Sequence, residues 1–466
     1  MIEMTIAGEA VAANDVIDVV NPATGEVFAQ APRCSREQLD AAMSAASDAL
    51  ASWDADEDRR RLLLRAAADA VRGASDELAR VLTNEQGKPL KAAHYEIAET
   101  ARWLEHSADL ELPATVVHDD EAGYAELVHR PLGVVAAITP WNFPLLLAGW
   151  KLGPALRAGN TVVLKPSPFT PLSTLLLGRV LAEVFPPGVV NVVSGGDDLG
   201  AWMTGHPAVA KISFTGSVAT GKAVAAAAAP DLKRFTLELG GNDAAIVLDD
   251  ADPAAVARGI FWGAFVNNGQ ICAGIKRIYV PERLHDDLVE ALADRARRVR
   301  VGPGTEPGVQ LGPIQNLPQF RRVAELVDEA LTKGAHAVAG GRAMDRDGYF
   351  FEPTILTGAA EGTRIVDEEQ FGPAVPVLAY RDVDEAVARA NDTKYGLSGS
   401  VWSPDVERAS AVAARLDCGT AFVNDHLTLH PHLPFGGHKW SGLGVENGPW
   451  GLAEFTAPQV RYRARG

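Results

Sequence analysis

The chain is short of cysteine, of basic residues and of long apolar runs, and each shortage closes a class of function. Three cysteines, Cys34, Cys272 and Cys418, are spread over 466 residues. An odd number without a CxxC pair supports neither a disulfide framework nor a thiolate zinc site, so a cysteine with a role acts alone. Lys and Arg number 43 against 60 Asp and Glu, a net charge of −17. Nucleic acid and anionic membranes are held by the opposite excess, so neither is expected as a partner. No run approaches the roughly 18 apolar residues of a membrane span, and the opening MIEMTIAGEAV lacks a basic stretch followed by an apolar one. The cytoplasm is the expected location. The dinucleotide fingerprint GxGxxG is missing as well.

What is there is the composition of a folded protein, 47% hydrophobic and 22% charged. The length exceeds what one core organises, so two or three domains are expected. Residues 35 to 106 are rich in Ala, Leu, Arg and Glu at helical spacing, broken at Gln86-Gly87-Lys88-Pro89, and read as several surface helices. From residue 133 short β-branched runs alternate with helical ones: GVVAAI, TVVLK, VVNVV, KISF and FTLEL. That alternation predicts βαβ units and a parallel sheet. A second series follows Gly240-Gly241, with AAIVL, the helical AAVARGIFWGAF and then RIYV, and predicts a second α/β layer with its own sheet. Residues 112–130 alternate like a hairpin, and the tail from 453 is strand-like; neither has a core of its own, so they pair with each other or with another subunit.

Five segments carry chemistry. Asn267-Asn268-Gly269-Gln270-Ile271-Cys272-Ala273-Gly274 sets a thiol among small and amide residues. A lone cysteine is ordinarily a small buried hydrophobe, but a nucleophile needs small neighbours for access and nearby N–H groups to steady negative charge. Phe235-Thr236-Leu237-Glu238-Leu239-Gly240-Gly241 places one carboxylate in an apolar strand, either ion-paired or desolvated with a raised pKa that suits a general base. Pro140-Trp141-Asn142-Phe143-Pro144 follows a strand at its carboxyl end, where the Asn142 amide either donates to an oxyanion or caps the turn. The glycine-rich turns at 194–200 and 214–221 follow strands and open helices, as a diphosphate site requires. Residues 216–222 match GxxxxGK, but Ala223 stands where a P-loop needs Ser or Thr. His426, His430 and His432 lack carboxylate or thiolate partners at ligand spacing, so no metal site is expected and they read as solvated loop residues.

Taken in order, PWNFP, LKPS, FTGS, LELGG, GQICAG, EEQFGP, NDTKYGLS and PFGGHKWSG resemble the aldehyde dehydrogenase superfamily over nearly the whole chain. The resemblance implies an α/β fold with a variant Rossmann-like dinucleotide domain (1–111 and 131–240), an α/β catalytic domain (241–440) and a small β oligomerisation domain (112–130 and 453–466). It makes Cys272 the nucleophile, Asn142 an oxyanion donor and Glu238 the base that activates water. It places Lys165, with Ser167 and Pro168 beyond it, at the adenosine ribose, Glu369 at the nicotinamide ribose and Phe371 beside the ring. Trp141, Gly216 and Ser217 would line the diphosphate and nicotinamide path, with Ile138, Thr139, Gly195, Gly200, Phe214 and Leu239 completing the cofactor surface.

Many relatives that prefer NAD carry Glu where this chain has Pro168; no Arg beside Ser167 recruits a 2′-phosphate, so NAD or NADP is implied with a slight lean to NAD. By the same comparison Phe143, Leu147, Trp150 and Trp262 would line the aldehyde tunnel, together with Val266, Ile271, Leu429 and Phe435. This apolar set predicts an uncharged aliphatic or aromatic aldehyde rather than a semialdehyde acid, and His426 and His430 are the places from which an acid or hydroxyl would be bound at its mouth. A homodimer or homotetramer is implied. Glu238 argues against a relative that passes its acyl group to CoA, a cysteine hydrolase would need a partnered His, and intact Cys272, Glu238 and Asn142 argue against a non-catalytic member of the fold.

Overall fold

The computed structural model describes residues 2–465. Its first sheet runs, in spatial order, Gly442–Leu443, Arg234–Glu238, Val209–Thr215, Val134–Ile138, Thr161–Lys165, Val190–Val192, Met4–Ile6 and Glu9–Val11. The five central strands are parallel, and those at both edges are antiparallel. Val134–Ile138 and Thr161–Lys165 are buried along their length and Val209–Thr215 at all but Ala210, as expected where helices cover both faces of a parallel sheet. From Val134–Ile138 the chain winds outward through Thr161–Lys165 to Val190–Val192, then crosses back to Val209–Thr215 on the other side. The strand order therefore reverses between Val134–Ile138 and Val209–Thr215, and the crevice beyond their carboxyl ends is where such sheets bind ligands. Trp141-Asn142 leaves one of these strands and Gly216-Ser217 the other.

The second sheet has the order His336–Ala339, Thr354–Thr357, Ala374–Tyr380, Ile275–Pro281, Asp243–Val247, Ser398–Trp402 and Thr420–Val423, parallel except at its first strand. Apolar clusters on its two faces form a core separate from that of the first sheet. The hairpin is Thr115–Asp119 with Gly123–Pro131, and the tail strand Thr456–Ala464 pairs with Gly123–Pro131 from Thr456↔Pro131 to Ala464↔Gly123. Of the two pairings open to the tail, the one within the chain is formed.

One reading of the amino-terminal third changes. Helix Leu90–Asp109 is not a surface helix: it buries Ala93, Glu96, Ile97, Trp103 and Leu104 and packs against helices Glu57–Gly73, Ser75–Gln86 and Pro144–Arg157. The first 33 residues, which carry no strong pattern, form four strands; Thr5 pairs with Val192, and Asp15–Asn21 pairs with Glu26–Arg33.

Candidate active site

Helix Pro253–Phe265 stops just before Asn267, Asn268 and Gly269, which all take positive φ (51°, 59° and 73°). Amide side chains tolerate this region, and glycine adopts it freely, so the sequence Asn-Asn-Gly lets the chain reverse and present Cys272 ahead of strand Ile275–Pro281. Lys276 Nζ donates to the Gly269 carbonyl at 2.8 Å and ties the loop to that strand. Cys272 keeps an opening to solvent, whereas Cys34 is buried. Burial pushes the Cys272 thiol up to about 12, and the carboxylates Glu369, Glu238 and Asp243 push the same way. The resting group is therefore a thiol, and its ionisation needs a base or an incoming electrophile.

The Asn142 amide lies against this loop, its Nδ2 donating to the Gln270 carbonyl at 3.0 Å. The turn holding it is fastened from behind. Lys88 Nζ donates to the Asn142 carbonyl at 2.9 Å, and Asn267 Nδ2 donates to the same oxygen at 3.1 Å. Lys88 is ion-paired with buried Glu96, whose other oxygen accepts the Leu145 and Leu146 N–H groups at the start of helix Pro144–Arg157.

Glu238 ends strand Arg234–Glu238, is 3% exposed, and neither carboxylate oxygen has a hydrogen-bond partner among the described residues. Burial raises its pKa well above the carboxylate range; Glu446 adds to this and Lys151 opposes it. Of the two readings open for this residue, desolvation wins over ion pairing. Lys151 is spent elsewhere, donating to Glu446 at 2.7 Å and to Thr215 Oγ1 at 2.8 Å.

The apolar wall expected around the thiol is partly formed. Phe143, Leu147, Trp150, Leu429 and Phe435 cluster with Cys272, and Trp150 meets Phe435 edge-on at 5.4 Å. Members that went unread in the sequence include Trp103, stacked on Trp150 at 5.6 Å, with Leu146, Leu397 and Leu427. Ile271 is buried beside Cys272 but outside the cluster. Trp262 is a correction: it packs with Phe261 in the core of the second sheet and lines an outer cavity with Arg295 and Arg298. Val266 is 37% exposed, a second departure from the expected wall. Position along a helix does not say which way a side chain turns. His426 corrects the reading of solvated loop histidines: it is buried, its ring bonds the Ala273 carbonyl at 2.8 Å, and burial holds its pKa down to about 4. His430 is half-buried and His432 exposed.

On the cofactor side the residues fit a dinucleotide. Lys165 is buried at the end of its strand, its ammonium bonded among the described residues to the Pro166 carbonyl alone, at 3.2 Å, and lowered by burial to about 8. Ser167 is buried and Pro168 half-buried just beyond it. Gly195 and Gly196 lead into helix Asp197–Gly205, and a Cβ at Gly200 would come within 3.9 Å of Lys165. Ser217 caps helix Val218–Ala228, with Phe214 and Gly216 before it and buried Leu239 against Gly221. Ile138 and Thr139 are buried at the strand end, and Thr139 Oγ1 has no partner among the described residues.

Glu369 accepts the Gly241 N–H at 3.1 Å and is raised by burial to about 7, and a Cβ at Gly240 would collide with its carboxylate. Phe371 is held at φ 49°, a strained conformation for an aromatic residue, edge-on to Trp141 at 5.1 Å.

Comparison with known proteins agrees with this geometry. The aldehyde dehydrogenase family profile matches residues 10–460. The chain is 38% identical to phenylacetaldehyde dehydrogenase of Pseudomonas fluorescens, over 97% of this chain and 94% of that one. It is 37% identical to the NADP(+) succinate-semialdehyde dehydrogenase GabD of Escherichia coli K12, over 99% and 97%. An aldehyde dehydrogenase from Bacillus cereus, solved as an NAD+ complex, superposes with a TM-score of 0.97 at 36% identity, covering 99% of this chain and 96% of that one. The chain belongs to the aldehyde dehydrogenase family, NAD(P)-dependent oxidoreductases acting on aldehydes.

Proposed function

We propose that the chain oxidises uncharged aliphatic or aromatic aldehydes to carboxylic acids through a covalent intermediate on Cys272. The observation that carries this reading is a partly accessible thiol packed in an apolar cluster, with an amide fixed against its loop and, close enough to act on the thiol's charge, a buried carboxylate without a hydrogen-bond partner among the described residues.

The Cys272 thiol gives up its proton to solvent as its sulfur attacks the aldehyde carbon, and the carbonyl oxygen becomes an oxyanion that takes hydrogen bonds from Asn142 Nδ2 and the Cys272 N–H. Lys88 and Glu96 keep Asn142 in place, so its donor needs no reorganisation as charge develops. Bound NAD(P)+, held by Lys165, Glu369, Phe371 and the turns at 195–200 and 214–217, supplies the hydride acceptor. The enzyme is left as a Cys272 thioester. Glu238 then removes a proton from water, which attacks the thioester carbon and displaces the thiolate with release of the acid. The raised proton affinity of Glu238 makes it a stronger base for that transfer.

Asp197 and Asp198 lie near Lys165, and neighbouring Arg33 is taken up by Asp198 at 2.7 Å. An acidic surrounding without a free guanidinium favours an unphosphorylated ribose, hence NAD+ over NADP+. The first sheet with its helices serves as the dinucleotide domain and the second as the catalytic domain. The three-stranded sheet, with Val116, Val117, Val460 and Tyr462 exposed, serves as the oligomerisation unit of a homodimer or homotetramer.

Steady-state kinetics over an aldehyde panel with NAD+ and NADP+ in parallel test the whole reading. Benzaldehyde and hexanal should exceed succinic semialdehyde in kcat/KM, and NAD+ should exceed NADP+. Equal or better succinic semialdehyde would overturn the substrate class.

A further inference from the structure

Three imidazoles stand together, each carried on a segment that also supplies the aromatic wall. His106 lies one turn beyond Trp103 on helix Leu90–Asp109, while His430 directly follows Leu429 and His432 precedes Phe435 on the facing loop. The His430 and His432 rings stack at 5.3 Å and 22°, and His106 sits edge-on to His432 at 6.4 Å. The loop is held by backbone bonds from Leu433 to His430 and from Gly448 to Pro431, and the helix by the Trp103 indole on Asn447 at 2.8 Å.

The polar atoms here are unfinished. His106 Nε2, His430 Nδ1 and Trp150 Nε1 are buried, and none has a hydrogen-bond partner among the described residues. Buried polar atoms are rarely left so, because each costs on the order of 1–3 kcal/mol until something bonds it. No carboxylate is ion-paired with any of the three histidines among the described residues. The nearby Arg102 is engaged with Glu99 at 3.2 Å and lies over the Trp103 ring. Burial and the neighbouring His432 hold the His106 pKa below its ordinary value, with Asp109 opposing and Arg102 assisting.

Unpartnered ring nitrogens on His106 and His430, with the unpartnered indole donor of Trp150, match a hydroxyl, which both gives and takes a hydrogen bond, better than a carboxylate, which only accepts and brings a charge that no ion pair here compensates.

We propose that His106, His430 and Trp150 recognise a hydroxyl group at the end of the substrate remote from the aldehyde, so that hydroxylated aldehydes, phenolic or aliphatic, are the preferred substrate class. The inference rests on the reading of the Cys272 cluster as the aldehyde pocket. It predicts what the apolar wall alone does not, a preference between two aldehydes of equal length that differ in one oxygen.

The test is kcat/KM for matched pairs, 4-hydroxybenzaldehyde against benzaldehyde and 6-hydroxyhexanal against hexanal, with 4-carboxybenzaldehyde as the charged comparison. It is run on the wild type, His106→Leu, His430→Leu and the double variant. In the wild type each hydroxylated member should exceed its parent by about tenfold or more, the worth of one well-made hydrogen bond. In the double variant that ratio should fall toward one, and because it is internal to each protein, a partly misfolded variant does not distort it. A wild-type ratio near one, a ratio kept in the double variant, or a greater preference for 4-carboxybenzaldehyde overturns the inference while leaving the aldehyde pocket standing. Absence of Cys272-dependent turnover with every uncharged aldehyde overturns the pocket reading and this inference with it.

Discussion

Replacing Lys88 with Met measures how much of the oxyanion site is held from behind. The Lys88 ammonium is buried, paired with Glu96, bonded to the Asn142 carbonyl at 2.9 Å and placed 4.0 Å over the Phe143 ring. Removing it leaves Glu96 as a buried carboxylate whose remaining bonds are the Leu145 and Leu146 N–H groups at 2.9 and 3.3 Å. Breaking a buried pair from one side costs about 3–5 kcal/mol of stability. The rate follows a separate scale, since full loss of one oxyanion donor is worth ~10²–10³ in kcat, and a loosened Asn142 forfeits part of that.

Lys88→Met should therefore unfold at clearly lower urea concentration and lose at least roughly tenfold in kcat, with a smaller change in KM. Adding Glu96→Gln removes the orphan charge and keeps an acceptor for the helix N–H groups. The double variant should recover much of the stability and little of the rate. A Lys88→Met enzyme within about twofold of wild-type kcat, or a double variant whose rate returns with its stability, would refute the clamp.

Three further outcomes follow from the same site. Because burial lifts the Cys272 thiol to about 12 and raises Glu238 as well, deprotonation of both is favoured as pH rises; kcat/KM should climb from pH 7 to 9.5 by as much as ~10-fold per unit, and a falling profile would contradict it. Lys151 lowers the proton affinity of Glu238, so Lys151→Met should move the apparent pKa of kcat upward and slow release of the acid; an unmoved profile at reduced stability would leave Lys151 a purely structural role. His426 has a folded pKa of about 4 against an ordinary 6.5, so the unfolded chain binds the extra proton in that window; its stability contribution is whole above about pH 6.5 and is lost by up to ~3 kcal/mol as pH falls toward 4. His426→Gln keeps a donor for the Ala273 carbonyl without titrating, so the wild type should lose stability relative to it between pH 7 and 5 in urea unfolding, and parallel curves would contradict this.

The sequence made legible what local pattern encodes. The runs GVVAAI, TVVLK and AAIVL are strands because β-branched residues buried on both faces leave no helical period, and the Asn-Asn-Gly before Gln270 marks a left-handed turn wherever it falls. Cys272 stood apart from Cys34 and Cys418 through its small and amide neighbours. What stayed hidden is long-range. Lys151 and Glu446 meet across 295 residues, and Trp103 reaches Asn447 across 344, with no local trace of either partner. Trp262 was misplaced because a helix buried on more than one side does not announce which face meets the pocket. The burial of His426 arises from a loop folded over Ala273, which composition reads as solvated. Met4–Ile6 pairs locally with Glu9–Val11, but its place in the first sheet comes from Val190–Val192, far along the chain.

The central claim, a thioester on Cys272 released by Glu238, is tested most directly by intact and peptide mass spectrometry of Glu238→Gln after mixing with NAD+ and benzaldehyde. The account predicts stoichiometric NADH formation in a single turnover and a benzoyl group on the Cys272 peptide that persists because its hydrolysis is blocked. A variant that turns over repeatedly without an adduct, or one acylated at a residue other than Cys272, would contradict it.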